Sequence, residues 1–234
     1  MNIIDPVVYE YKYAIIILSI PKKRNTQEYM QYLDLKTQLK DFPVFSIKDI
    51  EKVDSSFHKQ RLSEWQKKGY VKKVRQGFYI FSDLEMNEQI LFTIANRIYE
   101  PSYISLEMAL SIFGIIPESV YGITSVTSQK TRNIKTPVGD FIYRHIQPEL
   151  MFGYELREHD GNHYQIAELE KAILDYLYFN SKINDFESFE GIRFNISETK
   201  EKINVEKFNK YLNAFNNKAL ARRAKKFLIY INKN

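Results

Sequence analysis

The sequence predicts an α+β fold in two parts: a small helical unit ending in a β-hairpin, then a larger mixed α+β domain. Three observations predict it. Apolar residues recur at helical spacing up to about residue 68, and a hairpin pattern follows over 70–81. Beyond residue 84, amphipathic helices bracket a strand-rich stretch. The 234 residues suit one large domain or two small ones. The boundaries expected are an N-terminal extension over 1–29, a first domain over 30–84 and a second over 85–234.

The elements follow in order. Ala14–Ile20 is apolar but far shorter than the roughly 20 residues that span a bilayer. Basic residues follow it, with no small-residue cleavage site, so no signal peptide and no membrane association are expected, and the location expected is cytoplasmic. Tyr32, Leu33, Leu35 and Leu39 mark a first helix, interrupted by Pro43. Ser46 starts a short helix with Ile47, Ile50 and Val53 on one side. Asp54-Ser55-Ser56 reads as a turn and N-cap for a second helix over 57–68, closed by Gly69. Residues 70–74 and 78–81 read as a hairpin around Arg75-Gln76-Gly77. Helices are then expected over 87–99 and 105–113, strands over 122–130 and 141–146, and a hairpin around Asp160-Gly161. Helices over 165–179, 204–215 and 218–231 complete the chain.

Short helix, turn, helix, glycine, hairpin is the order of a winged helix-turn-helix. In the helix over 57–68, Leu62, Trp65 and Gly69 line one side. The opposite side carries Ser56, Lys59, Gln60, Ser63, Gln66 and Lys67, which have the hydrogen-bonding groups that read base edges and phosphates. Lys72, Lys73 and Arg75 fall on the hairpin, where a wing grips the sugar-phosphate backbone.

Charge is segregated in the same way. Residues 57–75 hold seven Lys/Arg and one Glu, and residues 207–234 hold eight Lys/Arg and no acid. Against a whole-chain charge of +5, these blocks of +6 and +8 leave −9 on the remainder. Segregation of this kind usually serves a polyanion partner. Arg222, Arg223, Lys225 and Lys226 on the last helix are candidates for a second DNA contact or for a contact with an acidic partner protein.

Other chemistries lack their signatures. With no Cys there is no disulfide scaffold, thiolate zinc site or Cys nucleophile. Glycine-rich phosphate loops, a G-x-S-x-G elbow and H-E-x-x-H are absent. His159 and His163 flank a hairpin turn, which does not aim two rings at one metal. Ser125, Thr127 and Ser128 read as strand residues without an adjacent base. Glu168, Glu170 and Asp175 read as exposed ion-pairing acids on an amphipathic helix. No cofactor, no metal and no catalytic residue is expected.

Pro101-Ser102-Tyr103-Ile104-Ser105-Leu106, running on to Gly114-Ile115-Ile116-Pro117-Glu118, resembles the AbiEi antitoxin family of transcriptional regulators. So do Ile123-Thr124-Ser125-Val126-Thr127 with Lys130-Thr131, and the segment 167–178, Ala-Glu-Leu-Glu-Lys-Ala-Ile-Leu-Asp-Tyr-Leu-Tyr. The resemblance runs from about Gln31 to the C-terminus and leaves residues 1–29 unplaced. It implies an N-terminal winged helix that binds inverted repeats in its own promoter, on double-stranded DNA, where a pair of chains on a palindromic site would double the contacts. It also implies a C-terminal domain that supports repression and neutralises a nucleotidyltransferase-like toxin encoded nearby, in a type IV toxin-antitoxin system for phage defence. The alternative is a solitary winged-helix regulator, or a protein-interaction module, without a toxin partner.

Overall fold

The computed structural model describes residues 32–117 and 121–233, so the expectations for residues 1–29 lie outside the described residues. The first part runs α1 (Tyr32–Gln38), β1 (Phe45–Ser46), α2 (Ile47–Val53), α3 (Gln60–Lys67), β2 (Val71–Arg75) and β3 (Phe78–Phe81). Ser46 caps α2 in a reciprocal box. Its Oγ accepts the Asp49 N–H at 3.3 Å, while Asp49 Oδ2 accepts the Ser46 N–H at 2.7 Å.

The second helix starts later than its sequence pattern suggests. Asp54 Oδ1 accepts from the Ser56 N–H at 2.9 Å and from its hydroxyl at 2.6 Å. That local Asx turn takes up the side chain expected to cap the helix, and α3 begins at Gln60. Ser56 therefore stands in the turn before α3, not on its outward face. Gly69 at φ +73° closes α3, its N–H bonded to the Gln66 carbonyl and the Tyr70 N–H to that of Trp65. The three short strands form an antiparallel sheet in the order β1-β3-β2.

The second part runs α4 (Glu88–Ile98), β4 (Ser102–Ile104), α5 (Leu106–Ile112), β5 (Ile123–Thr127), β6 (Arg132–Thr136), β7 (Gly139–His145), a 3-10 turn at Pro148–Leu150, β8 (Tyr154–His159) and β9 (Asn162–Ala167). Helices α6 (Leu169–Phe179), α7 (Phe186–Ile192), α8 (Ile196–Lys202), α9 (Val205–Phe215) and α10 (Lys218–Lys233) follow. The fold class is α+β. The six strands lie in the order β6-β7-β5-β4-β9-β8, with β5–β7 and β4–β9 parallel. The helix expected over 165–179 starts only at Leu169, because Ile166 pairs with Ile104 across the parallel ladder. Tyr143 Oη donates to the Ala95 carbonyl at 2.7 Å, and Asn96 Nδ2 to that of Ser102 at 3.3 Å, which fixes α4 on the sheet.

Two apolar cores result. The smaller joins Leu35, Leu39, Ile50, Leu62 and Trp65 to Phe45, Val71, Tyr79 and Phe81. The larger fills the second part, and it also takes in Val44, Val74 and Ile80. Alternation along β3 explains the division: Tyr79 and Phe81 face one way and Ile80 the other. The small sheet is a wall with a core on each side.

Candidate nucleic-acid interface

On α3, burial of Leu62 and Trp65 sets the helix rotation. Trp65 packs against Phe57 and Tyr32, with ring centroids 5.7 Å and 5.6 Å away. The opposite side is then forced outward: Lys59, Gln60, Ser63 and Lys67 are exposed, and Gln66 is half-buried. Gln66 donates Nε2–H to the Leu62 carbonyl at 3.2 Å, and Lys59 Nζ lies 3.4 Å from Glu51 on α2. Ser56 is exposed in the preceding turn.

Lys72 and Lys73 are both exposed on β2, and Lys72 Nζ is 3.4 Å from the Ser82 carbonyl. Arg75 is different. Its half-buried guanidinium donates to the Ile98 carbonyl at the end of α4 and lies 5.3 Å over the Tyr99 ring. The β2–β3 register shifts between Lys73 and Arg75, and this irregularity turns Arg75 toward α4. The residue expected on the wing's outer surface fastens the hairpin to the second part.

A second tie lies beside it. Arg97 on α4 reaches Asp49 on α2 at 3.0 and 3.2 Å, and Glu100 at 3.1 Å. Burial disfavours the Arg97 charge, but Asp49 and Glu100 outweigh it and hold the guanidinium above its ordinary pKa. Asp49 is buried and already closes the capping box of α2, so a single carboxylate sets both the helix start and its attachment.

The basic set on α10 divides. Arg223 donates Nε–H to the Leu177 carbonyl at 3.1 Å, satisfying an orphan group in the last turn of α6. Burial, then the adjacent Arg222 charge, holds the Arg223 guanidinium below its ordinary pKa. Lys226 reaches the Asn184 carbonyl at 2.9 Å. Arg222, Lys225 and Lys226 are exposed, and Arg223 is half-buried.

The acids of α6 depart from the sequence reading. Glu170, Lys171 and Asp175 are buried, where the sequence predicts an exposed face. Lys171 Nζ bonds Asp175 Oδ1 and the Tyr103 hydroxyl, the latter at 2.8 Å. Asp175 Oδ2 accepts from Tyr103 at 3.0 Å and from Ser105 at 2.9 Å. The ammonium also lies 4.7 Å from the Phe215 ring centre and 5.1 Å from that of Phe152. Burial draws Lys171 below its ordinary pKa and lifts Asp175 above its own, each charge opposing the other's shift. Glu170 accepts the Asn204 N–H at 2.8 Å and so anchors the start of α9. An i,i+4 Lys–Asp pair looks the same in sequence whether it faces solvent or core, and only the surrounding Tyr103, Phe152 and Phe215 distinguish the cases.

His159 and His163 lie on β8 and β9 across the Asp160-Gly161 turn, with Glu158 opposite His163. Among the described residues, no group of three or more His, Asp or Glu is placed to hold a metal ion, and no helix is long and apolar enough to cross a membrane. No protein-family model matches the chain, and no curated protein matches it with significance.

Proposed function

We propose that the chain is a DNA-binding transcriptional regulator whose first part is a winged helix-turn-helix, with α3 as recognition helix and β2–β3 as wing. One observation carries the reading: Leu62 and Trp65 are buried while Lys59, Gln60, Ser63 and Lys67 stand exposed together, next to a hairpin that exposes Lys72 and Lys73. Amide, hydroxyl and ammonium groups on one helix face suit base edges and phosphates in a major groove. A wing ammonium suits the sugar-phosphate backbone. Arg75 contributes by holding the wing in place.

The protein acts, in this reading, as an autorepressor, and through its second part as the antitoxin of a neighbouring nucleotidyltransferase-like toxin. The exposed Arg222, Lys225 and Lys226 on α10 are its candidate second contact, with DNA or with that partner. A gel shift on the DNA upstream of its own gene tests the regulator: binding at low salt is expected, and its absence refutes the reading. Co-expression with the adjacent open reading frame tests the antitoxin. Relief of toxicity is expected, and a toxic neighbour left unaffected would leave a solitary regulator.

A further inference from the structure

Residues 130–132 on the second part face the wing across one aromatic ring. The Arg75 guanidinium lies 5.3 Å from the Tyr99 ring centre and that of Arg132 lies 5.7 Å from the same centre. The two guanidinium carbons are therefore within about 11 Å of each other, the sum of those distances. Tyr99 also donates its hydroxyl to the Lys130 carbonyl at 2.9 Å, which ties the loop before β6 to the same point. Lys130 and Arg132 are exposed, on a loop and an edge strand that contain no acid between Ser128 and Thr136.

The local charges are unbalanced. Among the described residues, Lys72, Lys73, Arg75, Lys130 and Arg132 form no ion pair, in contrast to Lys59, which has Glu51. Glu100, which follows Tyr99 in the chain, is held by Arg97. Lys135, farther along β6, is opposite Asp140 and is excluded from the set on that ground. Gathering like charges without counter-charges is unfavourable in the isolated protein, and an external polyanion relieves it.

We infer that the duplex-binding surface continues from the wing, over Tyr99, onto Lys130 and Arg132 of the second part, and that these two side chains contact phosphates beyond the reach of β2. This inference rests on the regulator reading above and adds a grip on the duplex that the wing alone does not supply. Phosphate binding of this kind is independent of base sequence and strongly salt-dependent. Tyr99 is a positioning residue, because it sets the spacing between Arg75 and Arg132 without offering a charge.

The test is fluorescence anisotropy on a labelled upstream duplex and on a scrambled duplex of equal length, across a salt series. The proteins are the full chain, the Lys130→Ala/Arg132→Ala variant, Arg132→Lys, and Lys135→Ala as control. The double variant is expected to bind both duplexes more weakly, by the same factor. Its log K against log salt slope should flatten by about 0.9 for each phosphate it no longer neutralises. Arg132→Lys should keep the slope, and Lys135→Ala should behave as the full chain. If the full chain binds and the double variant matches it in affinity and slope, the inference is overturned while the regulator reading stands. Failure of that variant to hold a protein partner, with DNA binding intact, equally overturns it. If the full chain binds neither duplex at low salt, both readings fall. Unchanged thermal melting of the variants separates weaker phosphate binding from a folding defect.

Discussion

Lys171 and Asp175 show what a single pair can cost and hold. Both side chains are fully buried, yet each charge has hydrogen-bonding partners: Tyr103 serves both, and Ser105 serves the carboxylate. A buried ion pair of this kind gains little over apolar residues of the same volume, whereas removing one member strands the other charge. Lys171→Met or Asp175→Leu alone should therefore destabilise by about 3–5 kcal/mol in urea unfolding. The double variant should recover much of that loss. Equal, additive losses would show that the pair acts as two separate packing residues. Acid titration is expected at Asp185, the N-cap of α7. The Ser188 N–H and hydroxyl hold its carboxyl below the ordinary 3.8. A lowered folded pKa contributes stability above 3.8 that is lost as pH falls through the folded value. Melting measured between about pH 2 and 5 should show wild type ahead of Asp185→Asn at the upper end, with the difference closing at the lower end.

At the scale of elements, α3 and β2 divide their work between core and surface. Trp65→Ala empties the centre of the small core and should cost about 3–5 kcal/mol, read by denaturant unfolding. Lys72→Ala and Lys73→Ala should leave stability nearly unchanged. Each should weaken binding to all duplexes and reduce the salt slope by about 1. Gln60→Ala and Ser63→Ala should instead change which sequence is preferred. Elements whose ends carry local signals are legible in the sequence. Ser46 and Asp49 announce α2, Gly69 ends α3, and Asp160-Gly161, with φ +49° and +77°, turns β8 into β9. Short strands without such signals are not legible: β1 and β4 pair with strands distant in sequence. The outward face of α3 is readable because Leu62 and Trp65 fix its rotation. The inward turn of Arg75 and Arg223 is not, because a basic side chain carries no mark in the sequence of the carbonyl it will find.

Across the whole molecule, the small sheet couples the two parts. Phe45, Tyr79 and Phe81 belong to one core, Val44, Val74 and Ile80 to the other, and Arg97–Asp49 and Arg75–Ile98 span the join. Such sharing predicts one cooperative unfolding transition. Trp65, the only tryptophan, reports the small core, and far-ultraviolet dichroism is dominated by the larger part. The two signals should change at the same denaturant concentration, and well-separated midpoints would show independent units. The same contacts hold the α3 and β2–β3 unit, the proposed DNA-binding body, on the second part. Whether that body grips duplex phosphates is decided by the affinity for a labelled upstream duplex from about 50 to 200 mM salt, with the full chain and with the Lys72→Ala/Lys73→Ala variant. Tight binding that falls steeply with salt is expected of the full chain, and a slope about 2 units shallower of the variant. No binding at low salt, or a slope that the variant leaves unchanged, would refute the DNA-binding wing.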